Sequence, residues 1–394
     1  HRDLHSFPTR RSSDLFAVLI VAWLAAHRYV FVRLRESLRL APAIRFTIGS
    51  LMILMAVSWP VSRMLSRIGE NLAVHLFQGA GSYWMGFMAV LVMTIFATDL
   101  LIALPARIAT RRLVLSQGAL VAARKVSFLL AVASAVVVST IAMAVATGPV
   151  AVRKVEIASS AIPPALDGRT LLFLSDIHHG SLVGVDDLDR IEAAVKSVQF
   201  DVILFVGDLT DEENGGDGSA FERFASWGRL GSSGRAFAVT GNHERYSGGD
   251  AVVGRLQQAG IQVLRQQAEC NDAGLCLAGV DDPAMLPDGV GFDAAVVRAV
   301  SGVPEDAFLV LLSHQPVMVD FVAGTGVDLM VSGHTHHGQF PPATFFTPLF
   351  YPYWAGLYRI RDMFLYVSSG AGFWGPPLRL GSHPEVVALK LRRI

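Results

Sequence analysis

Three long apolar runs constrain this chain more than any other feature. They cover residues 46–62 (FTIGSLMILMAVSWPVS), 83–104 and 127–152, and each is near the ~20 residues a helix needs to cross a bilayer. The first and third carry no charge. The second carries only Asp99 near one end, with Tyr83 and Trp84 at the other, as an interfacial belt would. A shorter run, 16–26, reads as the remainder of a fourth span. Residues 61–77 are amphipathic: Met64, Leu65, Ile68, Leu72 and Leu76 recur at helical spacing, so this stretch is expected at a membrane interface. With 52% hydrophobic and 17% charged residues, the composition calls for a membrane part and at least one globular domain.

Basic residues set the expected orientation. Arg28, Arg33, Arg35, Arg39 and Arg45 follow the first run, and Arg107, Arg111, Arg112, Arg124 and Lys125 precede the last. The connection between holds only Arg63 and Arg67. The positive-inside rule then makes the two basic loops cytoplasmic and delivers everything after residue 150 to the extracytoplasmic side. Lysine plus arginine balance aspartate plus glutamate at 33 each, so bulk charge gives no reason to expect nucleic-acid binding. The first fifteen residues, HRDLHSFPTRRSSDL, match the frame translation of a common sequencing adapter at every position. Residues 1–15 are therefore read as non-native, and native sequence as entering near Phe16. The expected organisation is 16–152 as a helical membrane region of three or four spans and 153–394 as a globular domain.

After Val155 the pattern changes to short apolar runs that end in polar clusters. LLFL (171–174) leads into Ser175-Asp176-Ile177-His178-His179, and VILFV (202–206) into Gly207-Asp208-Leu209-Thr210-Asp211. AFAV (236–239) leads into Thr240-Gly241-Asn242-His243-Glu244, FLVLL (308–312) into Ser313-His314-Gln315, and DLMV (328–331) into SGHTHHGQ. Runs of four or five residues bounded by turn formers predict buried strands. Helical stretches at 188–198 and 251–258 lie between some of them, so an α/β core with its site beyond the strand ends is expected. Eight histidines fall after Val155, and seven sit in these five clusters. Scattered structural histidines would not segregate so. Nitrogen and oxygen donors without cysteine suit Mn, Fe or Zn held by imidazole and carboxylate, not a thiolate zinc site. Asp176 and His178, like His334 and His336, are two apart and on an extended segment would point the same way. The glycines at 207, 241 and 333 are expected to turn the backbone sharply. Cys270 and Cys276 flank a turn-rich stretch; a bridge and two free thiols are both open.

The ordered series Asp-x-His, Gly-Asp-x-x-Asp, Gly-Asn-His-Glu, His and Gly-His-x-His resembles the calcineurin-like metallophosphoesterase superfamily. The tail 353–392, with GLYRI, LYVSSGAG, PPLRLG and HPEVVALKL, is similar to its YkuE/YaeI-type branch, which commonly has an N-terminal membrane or export segment. The resemblance implies a four-layer α/β/β/α sandwich with two divalent metal ions (Mn, Fe or Zn), and phosphoester hydrolysis by a metal-bridging hydroxide. It assigns one metal to Asp176, His178, Asp208 and His336, and the other to Asp208, Asn242, His314 and His334. It makes His243 the general acid, with Glu244 placed to orient it. His179, Asp211 and His337 are possible supporting groups. His337 stands where the branch has glycine, and Ser369 where it has arginine. The expected function is a membrane-tethered phosphodiesterase or phosphomonoesterase in a bacterial cytoplasmic membrane, acting on a phosphorylated lipid or cell-envelope substrate. A non-catalytic sensor or scaffold built on the same fold, and a nucleotide–lipid pyrophosphatase, are the alternatives. The aromatic stretch 345–358 is read either as a lip that touches lipid or as a loop packed over the core.

Overall fold

A computed structural model describes residues 9–66, 72–112, 114–212, 215–216 and 218–394. Part of the expected amphipathic stretch, residues 67–71, lies outside the described residues. The chain divides into two compact units. One holds the helices through Met143 together with Gly375–Leu378; the other holds Ala144–Trp374 and Arg379–Ile394.

The helical unit comprises α1 (Thr9–Ser37), α2 (Pro42–Ser66), α3 (Leu72–Thr98), α4 (Leu104–Arg111) and most of α5 (Gln117–Ala146). A π-helical stretch, Asp99–Ala103, joins α3 to α4 without a break. Two stretches among the described residues are long and apolar enough to cross a membrane, Ala73–Arg111 and Gln117–Ala146, and Pro42–Ser58 is a shorter apolar helix. The last expected span, 127–152, is thus helical only to Ala146. Gly148 and Pro149 end it, because proline cannot donate to the next turn and restrains its neighbour, and Ala151 already opens a strand. The Asp99 carboxylate and the Trp84 indole find polar partners inside the unit. Asp99 accepts from Tyr29 Oη at 3.2 Å, Ser127 Oγ at 2.9 Å and the Arg33 guanidinium, and Trp84 Nε1 donates to His27 Nε2 at 2.9 Å. A carboxylate among apolar helices is costly unless satisfied in this way.

The second unit is a sandwich of two six-stranded sheets. Its first half runs β1 (Ala151–Ser159), β2 (Thr170–Leu174), α6 (Val185–Lys196), β3 (Val202–Val206), α7 (Ser219–Gly228), β4 (Ala236–Val239), α8 (Asn242–Tyr246), α9 (Asp250–Gln258) and β5 (Gln262–Val263). The second half runs β6 (Gln267–Cys270), β7 (Leu275–Gly279), α10 (Phe292–Val300), β8 (Phe308–Leu312), α11 (Val319–Val322), β9 (Leu329–Ser332), α12 (Ala343–Phe350), β10 (Gly356–Ile360), β11 (Met363–Val367) and β12 (Glu385–Arg393). The sheets order as β1-β12-β2-β3-β4-β5 and β10-β11-β9-β8-β7-β6.

Alternation along the strands builds the layers. Leu171, Phe173, Val202, Leu204 and Phe237 point between the sheets, where they meet Leu277, Phe308, Val310, Leu329 and Val331. Leu172, Leu174, Ile203, Phe205 and Ala238 point the other way, onto Leu188, Ile191, Phe221, Phe224, Trp227 and Val252 of α6, α7 and α9. Leu309, Leu311 and Met330 likewise leave the second sheet to meet Phe292, Val296, Val319 and Val322 of α10 and α11. Helices, sheet, sheet, helices: this is the four-layer α/β/β/α sandwich expected from the sequence. The runs at 202–206, 236–239 and 308–312 are β3, β4 and β8 residue for residue. The strand β1 was not foreseen, since Arg153, Lys154 and Glu156 mask its period; it is held by parallel pairing to β12 from Ala151↔Glu385 to Ser159↔Arg393.

Cys270 and Cys276 are joined in a disulfide across the antiparallel β6–β7 pair. Asn271 Oδ1 tightens the turn by accepting from Ala273 N and Leu275 N, both at 3.0 Å. Closing so short a loop restricts the unfolded chain modestly. Reduction should therefore lower the stability of this unit by about 2 kcal/mol. A melting midpoint unchanged by reductant would show that the bridge contributes nothing.

Candidate metal centre

Five loops meet beyond the carboxyl ends of β2, β3, β4, β8 and β9, where an open parallel arrangement leaves a crevice. They carry Asp176 and His178, Asp208 and Asp211, Asn242 to Glu244, His314, and His334 to His337. Their donor atoms fall into overlapping groups: Asp176 with His178 and His336; His178 with Asp208 and His243; Asp208 with His314 and His334. Asp208 belongs to two of them. His336 Nε2 stands 3.1 Å from His178 Nε2 and 3.4 Å from Asp176 Oδ1, while His314 Nε2 stands 3.1 Å from Asp208 Oδ2. His334 lies against His314 with ring centroids 5.2 Å apart, and its backbone N donates to Asp176 Oδ1 at 2.9 Å.

The backbone reaches this convergence through a costly route. Asp176, His178, Asp208, His334 and His336 all have φ between 49° and 69°, the left-handed region that side chains other than glycine rarely adopt. The ligand segments are therefore sharply bent, where the two-residue spacing had suggested extended chain. Between Asp176 and His178, the side chain of Ile177 is buried in the core below. The glycines also act differently from expectation. Gly207 does turn, at φ 77°, and a Cβ there would meet His314 Nδ1 at 2.6 Å. Gly333 has no such φ; it is needed because a Cβ would collide with Asp176 and Ser175.

Partners behind the imidazoles decide which nitrogen faces the cluster. His314 Nδ1 lies 2.8 Å from Val206 O, so it donates there and turns Nε2 toward Asp208. His178 Nδ1 donates to Asp211 Oδ1 at 3.1 Å, which turns its Nε2 inward in the same way. Asp211 Oδ1 also takes His243 Nδ1 at 2.6 Å. Asp211 thus orients two imidazoles at once. Glu244, expected to orient His243, does something else: fully buried, it accepts from Asp208 N at 2.9 Å, Leu209 N at 2.8 Å and Gly241 N at 2.6 Å. It ties the β3 and β4 loops together.

Charge follows from the same contacts. Burial disfavours every charged form here, but the histidines around Asp208 outweigh it and hold that carboxyl well below the usual range. Burial opposes protonation of His178 as well, yet the Asp211 carboxylate raises it to about 9. For His334, burial and the neighbouring His314 act together and push it down to about 3. Burial, His178 and Arg379 lower His336 as well. The last two rings are thus neutral near pH 7, as ligands must be.

A divalent cation fits this donor set. Asn242 Oδ1 is buried and has no hydrogen-bond partner among the described residues, a group that costs free energy unless something else satisfies it. It borders the Asp208 loop, since the adjoining His243 N donates to Asp208 Oδ1 at 2.8 Å.

The sequence profile of the family described as calcineurin-like phosphoesterase matches residues 169–338. The chain carries a calcineurin-like metallophosphoesterase domain. Proteins of this family bind divalent metals. A bovine (Bos taurus) transmembrane protein with metallophosphoesterase domain is 34% identical over 277 residues, 67% of this chain and 62% of that one. An uncharacterized metallophosphoesterase of Helicobacter pylori is 34% identical over 228 residues, 56% and 59% of the two chains. The uncharacterized metallophosphoesterase YkuE of Bacillus subtilis is 27% identical over 252 residues, 60% and 83%. The chain spans about three-fifths of the length of the first two relatives.

Within the metallophosphoesterase domain, two supporting candidates stand apart from the cluster. His179 Nδ1 donates to Val183 O at 3.0 Å, and half-buried His337 packs on Trp354 at 4.6 Å between ring centroids. Four neighbours of the cluster were not singled out from the sequence. Tyr351 lies on His334 at 5.3 Å and donates to Gln315 Oε1 at 3.2 Å; Tyr246 and Trp374 flank His243 at 5.5 and 6.0 Å. The fourth is Arg379, fully buried behind His336, with its guanidinium on Gly372 O at 2.6 Å and 3.4 Å from His336 Nδ1. A lone arginine inside GPPLRLG was the available signal, since buried arginine is rarely idle.

Asp211→Asn tests the shared orienting carboxylate. Turnover is expected to fall ~10–100-fold, the usual cost of removing a partner behind a ligand. In chelator, the wild-type domain also gains stability from a His178 held above its unfolded value. That gain is complete below pH 6.5 and is lost as pH rises through about 9, an order of 3 kcal/mol. The variant should lack this slope in denaturation curves recorded across the window.

Proposed function

We propose that this chain is a membrane-tethered dinuclear phosphoesterase that hydrolyses phosphodiester or phosphomonoester bonds on the extracytoplasmic side. The observation that carries the reading is the convergence of two ligand groups on one carboxylate, Asp208. Asp176, His178, Asp208 and His336 would hold one cation, and Asp208, Asn242, His314 and His334 the other. Cations so placed neutralise the phosphoryl oxygens and supply a nucleophile at neutral pH. His243, fixed through Nδ1 by Asp211, keeps Nε2 for the substrate and can give a proton to the leaving oxygen. Tyr246 and Trp374 restrict its ring to that orientation. Mn, Fe and Zn all suit such a mixed set.

Tethering is supported by the two apolar helices long enough to span and by relatives described as transmembrane proteins. The disulfide is in keeping with an oxidising compartment. A tethered domain meets lipid or cell-envelope phosphoesters more readily than soluble ones. The test is hydrolysis of a chromogenic phosphodiester by the full chain in detergent, with Mn²⁺, Zn²⁺ or chelator. Metal-dependent turnover is expected; bound metal without turnover on phosphodiesters or phosphomonoesters of any kind would favour the sensor instead.

A further inference from the structure

We propose that α12 is a membrane-docking helix, which lies in the bilayer interface beside the mouth of the metal centre. Its polarity is reversed. Phe345, Phe346, Leu349 and Phe350 are 63%, 55%, 75% and 76% exposed, whereas Thr344 and Thr347 face inward and are half-buried. Thr344 Oγ donates to Gly338 O at 3.3 Å, so the hydroxyl side is the one that meets the protein. A surface helix of a water-soluble domain does the opposite and turns its apolar stripe to the core. No residue of α12 is buried.

The surroundings argue for lipid as the occupant. The nineteen residues from Phe340 to Tyr358 contain no Asp, Glu, Lys, Arg or His, so nothing charged would be stripped of water on insertion. A protein partner would be expected to meet a polar or charged rim around an apolar centre, and this stretch supplies no charge for one. Immediately after the helix the chain turns back: Tyr351 packs on His334, and Trp354 O accepts from Thr335 Oγ at 2.7 Å. The ligand loop thus anchors one end of a helix whose four large apolar side chains point outward. Connectivity supplies the bilayer. The apolar helix α5 ends at Ala146 and β1 begins at Ala151, and the intervening residues reach at most ~18 Å. A domain so tethered meets the interface at high effective concentration, and four aromatic or aliphatic side chains on one face suit insertion there. This inference rests on α5 crossing the membrane, but not on catalysis: a chain without turnover would still insert the helix.

The test uses the full chain in nanodiscs of phosphatidylcholine and phosphatidylglycerol. Leu349→Cys is labelled with an environment-sensitive fluorophore, the native cysteines being bridged to each other. Leu230→Cys is the control; Leu230 is 50% exposed and precedes β4, at the strand ends away from the site. The expected result is a blue shift and loss of emission at position 349 with lipids spin-labelled just below the headgroup, and neither at 230. Emission at 349 that aqueous iodide quenches as fully as at 230, untouched by spin-labelled lipid, overturns the proposal. Protection from both quenchers also overturns it, because protein and not lipid would then cover the helix. Phe346→Cys repeats the reading at a second position on the same face.

Discussion

Asp208→Asn is expected to abolish turnover, by more than ~10³-fold, while leaving the fold in place. The substitution keeps the shape of the side chain and one oxygen to accept from His243 N, so the β3 and β4 loops need not move. What it removes is the charge common to the two donor groups that contain Asp208. Burial opposes protonation of His314, and Asp208 leads the carboxylates that still hold it well above its ordinary range, so the variant also loses the main counter-charge beside that ring. Metal content should fall together with activity, and elemental analysis of the purified variant beside wild type checks this. Retained hydrolysis with full metal content would remove Asp208 from the centre and with it the dinuclear reading. Loss of activity with metal content unchanged would instead give Asp208 a role at the reacting phosphorus alone.

Glu244→Ala should have the largest effect on stability, about 3–5 kcal/mol. Three backbone N–H groups end on this one buried carboxylate, and each orphaned donor costs ~1–3 kcal/mol before the loops relax or water enters. Burial raises the carboxyl of Glu244, and the charge of Asp208 raises it further, so the protein tolerates an unfavourable charge here for the sake of those bonds. Glu244→Gln should recover only part of the loss, because its amide nitrogen would face donors. Hydrogen exchange at Asp208 N and Leu209 N is the direct measurement. Faster exchange at these amides and Gly241 N is expected beyond the general acceleration that lower stability brings, with activity lost because Asp208 is no longer held. Unchanged exchange would mean that other contacts already fix the loop.

These two residues also show how far the sequence carries. The motif Gly-Asn-His-Glu placed Glu244 beside His243 in the chain, and neighbourhood in the chain suggested that one orients the other. In the fold, α8 sends His243 toward the cluster and Glu244 beneath it, and the partner of His243 comes from the β3 loop, 32 residues earlier. Spacing could not reveal that, because the contact depends on how two strands pair. The same holds for Arg379, which reaches His336 across 43 residues of sequence.

By itself the sequence determined the strands that carry the candidate site. Unbroken apolar runs of four or five residues report burial on two faces, which is a local property, and turn formers mark where each strand must stop. Hence β3, β4 and β8 and the loops that carry the donors were legible, as was the apolar character of the helical part; the four layers entered only with the family resemblance. Tertiary structure decided the rest. Which nitrogen faces the cluster is set by Val206 O and by Asp211, and the left-handed φ of five donor residues is tolerated only because packing from several strands imposes it. Periodicity likewise could not say which side of α12 faces out: four large apolar side chains predict a buried stripe, and only the packed fold turns the threonines inward instead. Local pattern encodes how much surface a segment must hide, but not from which solvent, nor against which partner.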